Sequence, residues 1–417
     1  MAAAFMKYLK FPFKFVKSYW SIMLLCLIVL AVFRIVYAWP VELVEPDDIT
    51  FKVAMQAFEK GQFQLTQEEY YQYRQQAGEL RQYVDIGNGH YVLEKNPFYA
   101  LFLSRLHALK LERFSNMILA SLALFAFYKM MAIFFNRKTA VISSLLLLFN
   151  ATFLGMFYRI YMDDFASMAI VLMGASLYLI ALNKNNAPLM VASGFVLAIS
   201  VATRYTNLAI CLAILIYTII VLRKNIRALL SNVGWLVLGS VAPVALLLVY
   251  HTLVLGGPFK TGYSYTIGYT QFIFQFMLHG QWDEAKRILI KNLLSHPVLL
   301  LEGFPSITLL PAGLAYSRDS RARYPLMPFF LLWFLAYFLL YFQYLWLRWD
   351  VYLYETRFYL PFVPVIAASA GIFIVHLMEH KSRVYAYALM GLLIAIDLGV
   401  FSHYVATQIL SWYPIQR

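Results

Sequence analysis

The sequence predicts an all-α polytopic membrane protein with about eleven transmembrane helices. Hydrophobic residues make up 62% of the chain and charged residues only 13%, against roughly 45–50% and about 25% in soluble proteins. The apolar residues are gathered into runs of about 20, the length that crosses a bilayer as a helix. Basic residues are also distributed unevenly between the loops on the two sides of these runs. Together these observations exclude a soluble globular protein.

The apolar runs define the predicted spans, in chain order 19–39, 115–135, 139–158, 164–183, 188–203, 206–222, 229–255, 297–316, 325–346, 359–378 and 384–404. The first run follows a basic leader, but its apolar core is too long for a cleavable signal peptide and further runs follow. We expect one membrane domain over residues 1–417, with no large soluble C-terminal domain. Its two long outer loops are predicted at about 40–114 and 256–296.

The orientation follows from the basic residues of the loops. With the N-terminus inside, fifteen Lys and Arg residues of these segments lie in the cytoplasm and only four lie in the short outer loops. This bias satisfies the positive-inside rule. Most of the net charge of +13 therefore reflects topology, and no nucleic-acid partner is implied.

The first outer loop contains further helical patterns, which we expect to lie in the membrane interface. Apolar spacing, capping-box spacing and turn residues predict its elements. In order these are a helix over 48–60, a helix from Thr66 and Glu69 to Val84, a turn at Asn88–Gly89 and a helix after Asn96–Pro97. The loop is therefore predicted to contain interfacial helices with a turn between the second and the third.

Acids and arginines cluster at the outer ends of the predicted spans. Ionisable groups at membrane depth are costly and are functional candidates by default. Carboxylates beside arginines on one face could activate an acceptor hydroxyl and hold a phosphate. The groups are Glu45, Asp47 and Asp48 after the first span, Arg159, Asp163 and Asp164 after the third, Arg204 after the fifth, and Arg348, Asp350, Glu355 and Arg357 after the ninth.

Each group also has a structural explanation that the sequence leaves open. Asp48 could cap the helix that follows it, and Asp163 with Asp164 could cap the fourth span. Arg204 and Arg357 could extend to the lipid headgroups. The sequence contains no zinc-binding spacing, phosphate-binding glycine loop or nucleophile elbow.

Six short motifs resemble those of the glycosyltransferases of fold type C (GT-C). The resemblance is closest to the protein O-mannosyltransferase and aminoarabinose transferase group, and it covers about residues 15–380. The motifs are Pro46-Asp47-Asp48-Ile49-Thr50-Phe51, Lys95-Asn96-Pro97-Phe98-Tyr99, Arg159 with Asp163-Asp164, Thr203-Arg204-Tyr205, Gly257-Pro258-Phe259-Lys260-Thr261-Gly262-Tyr263 and Arg357-Phe358-Tyr359-Leu360-Pro361. Two departures matter. Asp48 stands where the family usually has Glu, which leaves open which acid is the base, and we expect no large soluble C-terminal domain of the kind that many relatives have.

The resemblance implies a GT-C-like bundle that moves a sugar from a polyprenyl or dolichyl monophosphate. The acceptor is a lipid, glycan or protein on the extracytoplasmic face, and the membrane is the bacterial inner membrane, or the ER membrane in a eukaryote. Inverting displacement needs one base, and the phosphate can leave without a general acid. No cofactor is implied, although an acid pair can hold a divalent cation and metal use stays open.

The resemblance also implies roles for the clustered residues. Asp47 is the expected general base, with Asp48 as the alternative. Arg357 and Arg204 would bind the donor phosphate and stabilise its developing charge. The remaining candidates would contact the acceptor or orient these groups, namely Glu45, Arg159, Asp163, Asp164, Tyr205, Glu355 and Tyr359.

Two other classes of function are alternatives. A secondary transporter or lipid flippase would require repeated halves and acids near the bilayer midplane. The sequence has no internal repeat, and its two acids inside spans are Glu302 and Asp397, for which we favour local hydrogen bonds. The second alternative is a non-catalytic scaffold or a degenerate member of the fold.

Overall fold

The computed structural model describes residues 27, 28, 30–32, 46–266, 272–345 and 355–406. It is mostly helical, as predicted. Most of the first predicted span, together with Glu45, Arg348 and Asp350, lies outside the described residues.

The predicted first outer loop combines helices with a small sheet. Its elements are α1 (Pro46–Glu59), β1 (Leu65–Thr66), α2 (Gln67–Ala77), β2 (Tyr83–Gly87), β3 (His90–Leu93) and α3 (Phe98–Ala108). The capping box at the start of α2 is confirmed, since the Thr66 hydroxyl accepts from the Glu69 amide and the Glu69 carboxylate accepts from the Thr66 amide.

The sheet was not predicted from the sequence, and it corrects the predicted extent of the second helix. The three strands pair antiparallel in the order β1–β3–β2. The helix predicted to reach Val84 ends at Ala77, because Gly78 has φ +100° and the chain leaves the helical conformation there. Asn88 and Gly89 have φ +56° and +73° and form the predicted turn between β2 and β3.

The rest of the described chain consists of helices. They are α4 (Ser115–Phe134), α5 (Arg137–Leu148), α6 (Ala151–Phe157), α7 (Asp163–Lys184), α8 (Ala187–Thr203), α9 (Leu208–Leu222), α10 (Ile226–Leu255), α11 (Ile273–Leu278), α12 (Trp282–Gly303), α13 (Leu310–Tyr316), α14 (Leu326–Phe342), α15 (Val363–His380) and α16 (Arg383–Tyr404).

These helices make the chain a multi-pass membrane protein. Within the described ranges, 6 helical segments are long and apolar enough to cross a membrane, or 8 if each of two bent pairs is one span. The apolar helices α8 and α14 are shorter. Every predicted run from 115 onward coincides with a helix or part of a bent pair, while the count of eleven and the orientation stay predictions.

The two bent pairs change the expected shape of two spans. Helices α5 and α6 meet at 61°, and α12 turns by 100° into the segment Pro305–Asp319. At the first bend the Asp397 carboxylate accepts from the amide of Ala151 at 2.9 Å and from Asn150 Nδ2 at 3.2 Å. The interpretation of Asp397 as a locally hydrogen-bonded acid is confirmed.

Helices α7 and α15 form the centre of the bundle. In the apolar stretch of α7, 83% of the residues are buried, and in the segment that contains α15 the share is 94%. The corresponding shares are only 17% in α10 and 22% in α16. Asp163 and Asp164 begin α7, and Arg357 lies just before α15. Three residues of the predicted charged cluster therefore lie at the N-terminal ends of the two most buried of the long apolar helices.

Candidate active site

A cavity of about 790 Å³ lies between the first outer loop and the ends of α7, α8 and α14. The residues that line it are called the cavity wall below. The wall combines charged groups with aromatic rings, a combination suited to a polar ligand with an apolar part. Its charged members include Asp47, Glu94, Lys95, Asp163, Arg204, Glu355 and Arg357, and its rings include Tyr205, Tyr263, Phe272, Tyr341, Tyr344 and Phe358.

Helix α1 positions Asp47. Pro46 opens the helix, where its missing N–H costs nothing, and both acids follow in the first turn, where the helix dipole favours negative charge. The helix is anchored by Phe51 and Ala54, which follow Asp47 on the same helical face and are fully buried in the core. Asp48 lies inside the first turn of α1, so the structure does not support its interpretation as the residue before the helix that caps it.

Asp47 contacts three side chains from other parts of the chain. Its Oδ2 lies 3.0 Å from Lys95 Nζ and 4.0 Å from Arg357 Nη2. Its Oδ1 accepts a hydrogen bond from Gln82 Nε2. The carboxylate is thus buried but surrounded by donors and positive charge.

The β2–β3 pairing brings two of these partners together. Tyr83 pairs with Leu93, and beyond this pair the Glu94 amide donates to the Gln82 carbonyl at 2.8 Å. Gln82 and Lys95, which are distant in sequence, therefore emerge from the same end of the sheet. Asn96 Nδ2 then donates to the Val201 carbonyl at 2.9 Å, which holds this end against α8.

Asp48 has a different environment from Asp47. It forms an ion pair with Arg159, and neither residue belongs to the cavity wall. The loop of Arg159 is held by Asn116, whose Nδ2 donates to the Arg159 carbonyl at 3.3 Å. Asp48 therefore joins α1 to the segment between α6 and α7, away from the cavity.

The second acid pair is held by two arginines. Arg204 Nη1 lies 3.7 Å from Asp163 Oδ1 and donates to Asp164 Oδ1. Arg357 Nε lies 3.7 Å from Asp164 Oδ2. The ring of Phe358 lies beside both guanidinium groups, 5.8 Å from Arg204 and 4.7 Å from Arg357.

This geometry tests whether the second acid pair caps a helix and whether its arginines extend to the lipid headgroups. The residue before α7 is Met162, so Asp163 and Asp164 are inside the helix and do not cap it. The side chains of Arg204 and Arg357 are only 15% and 9% exposed. They are buried ion-pair partners of Asp164 and not anchors for lipid headgroups.

Burial and charge oppose each other in setting the pKa values. Burial alone would raise the pKa of Asp47, but the nearby Lys95 and Arg357 charges outweigh it and hold this pKa below its ordinary value. For Lys95, burial would lower the pKa, but Asp47 and Asp163 raise it above its ordinary value. For Arg204, the pKa is likewise raised by Asp163 and Asp164 against the effect of burial. These three groups are therefore ionised at neutral pH.

The remaining predicted residues are placed as follows. Tyr205 belongs to the wall, and its hydroxyl lies 3.0 Å from His251 Nε2. Glu355 also belongs to the wall and is buried. Tyr359 is fully buried outside the wall, with its ring 5.7 Å from that of His296. Glu45 lies outside the described residues.

Several wall residues were absent from the predicted site, most importantly Lys95 and Gln82. Glu94 was also missed, and it joins the two outer loops by accepting from Thr266 Oγ1 at 2.6 Å. Gly262 packs so closely here that an added Cβ would lie 2.2 Å from the Glu94 carbonyl oxygen. The Lys95 and Gly257–Tyr263 motifs were visible in the sequence, but only the contacts of Glu94 with Gly262 and Thr266 show that they meet.

The site also bears on the question of a metal. Within the described ranges, no three or more His, Cys, Asp or Glu side chains are grouped so that they could hold a metal ion. The four aspartates instead lie next to Lys95 and the three arginines.

Comparison with known proteins gives a match at the level of structure. No family model matches the sequence, and no curated protein matches it. The structure is similar to that of ArnT from Cupriavidus metallidurans bound to undecaprenyl phosphate, with a TM-score of 0.61 and 15% identity over 92% of this chain and 65% of that chain.

Two archaeal structures are also similar. The Archaeoglobus fulgidus oligosaccharyltransferase in complex with Zn and sulfate has a TM-score of 0.57 and 13% identity, covering 90% of this chain and 53% of that chain. AglB from the same organism, in complex with an inhibitory peptide and a dolichol-phosphate, has a TM-score of 0.54 and 13% identity, covering 95% and 56%.

This chain therefore spans between about half and two thirds of the length of these three proteins. At this level of identity the likeness concerns the fold. The structural neighbours have the GT-C fold that the sequence motifs resemble. The chain shares the fold of these GT-C membrane glycosyltransferases.

Proposed function

We propose that the protein is a membrane glycosyltransferase that moves a sugar from a polyprenyl or dolichyl monophosphate to a lipid, glycan or protein acceptor. One observation carries this proposal: the carboxylate of Asp47 and the cations Lys95, Arg204 and Arg357 line the same cavity. A base and a set of phosphate ligands are the groups that such a transfer needs. The fold shared with ArnT and AglB, which were solved with undecaprenyl phosphate and dolichol-phosphate, supports this reading.

The donor phosphate is proposed to bind Lys95, Arg204 and Arg357. The guanidinium group offers a planar pair of donors that matches two phosphate oxygens, and charge-assisted bonds of this kind are strong when desolvated. Contact with Phe358 limits the orientations that both guanidinium groups can adopt. These preorganised cations would stabilise the charge that develops on the leaving phosphate.

Asp47 is proposed to take the proton of the acceptor. As the acceptor oxygen forms its bond to the anomeric carbon, the proton moves to the carboxylate and the carbon–oxygen bond to phosphate breaks. The electron pair of that bond stays on the polyprenyl phosphate, so the leaving group needs no acid. This single displacement inverts the anomeric configuration.

Asp48 is proposed to act through Asp47. Asp48 pairs with Arg159, and neither residue lines the cavity. Asp48 would therefore not contact an acceptor bound there. Holding the first turn of α1 would keep Asp47 aimed at the cavity. Asp48 is thus a positioning residue in this mechanism.

The alternative of a transporter or flippase draws no support from Asp397. That carboxylate accepts hydrogen bonds at the bend between α5 and α6. The charged groups of the cavity lie instead at helix ends, where α1 and α7 begin. Charges gathered at such ends suit a reaction at the membrane surface better than a pathway across it.

The test is a transfer assay with the full chain in membranes or nanodiscs. The purified protein is given a panel of radiolabelled polyprenyl-phosphate sugars together with membrane lipid and protein acceptors. We expect label to move to one acceptor class with the wild type and with Asp283→Asn, an exposed-acid control outside the cavity wall. Label that stays on every carrier, or intact carrier that crosses the bilayer, contradicts the proposal.

A further inference from the structure

The cations of the cavity face the protein's own carboxylates. Lys95 and Arg357 face Asp47, while Arg204 and Arg357 also face Asp164. All of these side chains are almost completely buried, so their ion pairs are poorly screened by solvent. A phosphate that enters this cavity must therefore compete with the protein's own carboxylates for the same cations.

The contacts indicate which carboxylate gives way. Asp164 is not part of the cavity wall and lies against two arginines, whose positions are restricted by Phe358. Asp47 and Lys95 are both on the wall, 3.0 Å apart. Lysine carries its charge on a flexible four-carbon chain, so it can change partners more easily than a stacked arginine.

We infer that the donor phosphate displaces Asp47 from Lys95, so that the donor binds first and thereby releases the carboxylate that accepts the acceptor's proton. This inference rests on the proposed function and adds an order of binding to it. Asp47 acts as a counter-ion in the free protein and as a base once the donor is bound. Lys95 exchanges a carboxylate for a phosphate.

The exchange also makes Asp47 more basic, as its proposed role as proton acceptor requires. In the free protein Lys95 and Arg357 help to hold the pKa of Asp47 below its ordinary value against the effect of burial. A phosphate that neutralises these cations removes that effect, and burial then raises the pKa. The carboxylate becomes a stronger base only when a sugar is present to be transferred.

The first test measures binding of undecaprenyl phosphate to the purified full chain. Asp47→Asn removes the competing charge, so we expect binding at least about fivefold tighter than in the wild type, even though this variant should not transfer sugar. Asp283→Asn changes the net charge equally, and Asp283 is an exposed acid outside the cavity wall. It should bind undecaprenyl phosphate as the wild type does.

The second test uses the wild type and does not depend on the folding of a variant. A carbodiimide joins a lysine directly to a carboxylate in contact with it, so it should cross-link Lys95 to Asp47 in the free protein. Saturating undecaprenyl phosphate should suppress this cross-link. The exposed pair Lys138 and Glu379, 3.6 Å apart, is the internal control and should react equally with and without the lipid.

The outcomes separate this inference from the proposed function. Equal or weaker binding by Asp47→Asn, or a Lys95–Asp47 cross-link that persists with bound lipid, overturns the exchange and leaves the enzyme proposal standing. A wild type that does not bind undecaprenyl phosphate contradicts the proposed donor instead. Tighter binding by Asp47→Asn together with loss of the wild-type cross-link supports the exchange.

Discussion

The molecule contains two aspartate pairs, each in the first turn of a helix, and they differ in how they are held. In α1, Asp47 lies against Lys95 and Arg357, while Asp48 lies against Arg159. In α7, Asp163 and Asp164 share Arg204, and Asp164 also faces Arg357 (whose other end reaches Asp47). Each pair contributes one acid to the cavity wall and keeps the other outside it.

This difference indicates a division of labour. The α7 pair is joined to guanidinium groups that are always charged and are packed on an aromatic ring, which suits a fixed framework. The α1 pair has a lysine on its cavity side and belongs to a loop helix, which suits a group that changes partner during a reaction. Sequence alone makes the two pairs look equivalent, since both are Asp-Asp at the start of a helix.

The strongest test of this division of roles is to neutralise the cavity-wall acid of each pair. Asp47→Asn removes the proposed base, so turnover should fall by at least about 100-fold. Asp163→Asn changes only the framework, and we expect a smaller loss. Initial rates of sugar transfer measure both, with protein yield and thermal stability as controls. A larger loss for Asp163→Asn would assign the base to α7.

Arg357 connects the two pairs, so its removal should affect donor binding more than catalysis of bound donor. Losing one charge-assisted contact to the phosphate should cost about 1.5–3 kcal/mol of binding free energy in Arg357→Ala. Arg204→Ala should have a similar or smaller effect, because Arg204 belongs to the α7 pair alone. Titration with undecaprenyl phosphate gives both values. Unchanged affinity in both variants would show that these arginines serve the fold only.

The roles of Asp47 and Asp48 in the α1 pair can be distinguished by single variants. Asp48→Asn weakens the contact with Arg159 but leaves the cavity wall intact, so turnover should fall by only about three- to tenfold. The affinity for undecaprenyl phosphate should stay the same. If Asp48→Asn abolishes transfer while Asp47→Asn retains it, the roles of the two acids are reversed.

The smallest expected effect is the pH dependence of stability from the Asp47–Lys95 pair. The pKa of Asp47 lies below its ordinary value of 3.8, so its contribution is complete above that value and is lost as the pH falls through the lowered pKa. The pKa of Lys95 is raised above 10.5, so its contribution is complete below that value. The stability difference between the wild type and the double variant Asp47→Asn, Lys95→Met should therefore be constant between about pH 5 and pH 9.

Thermal unfolding of both proteins across this range measures the difference. It should shrink only in strong acid, where Asp47 is protonated, or in strong base, where Lys95 loses its proton. A difference that disappears already near neutral pH would mean that Asp47 and Lys95 are not a charged pair in the folded protein.

Local chemistry in the sequence predicted much of the architecture. Runs of apolar residues are sufficient to locate helices from residue 115 onward, because a bilayer-length apolar helix satisfies its own backbone. The capping box at Thr66 and the turn at Asn88 depend on neighbours only a few residues away. The positions of Asp47, Asp163, Arg204 and Arg357 beside apolar runs were likewise visible in the sequence, which identified them as costly charges at helix ends.

What the sequence could not determine is which charge faces which. Gln82 and Lys95 lie together because Tyr83 pairs with Leu93 in the β2–β3 hairpin, but their contacts with Asp47 join this hairpin to a helix 35 to 48 residues earlier in the chain. The same applies to Asp48, which lies outside the cavity wall and pairs with Arg159, a residue more than a hundred positions away in the sequence. Composition and spacing determined that this protein crosses a membrane with buried charges at its helix ends. Only tertiary structure decided which charges meet in the cavity, because Coulomb energy depends on distance in space and not on distance along the chain.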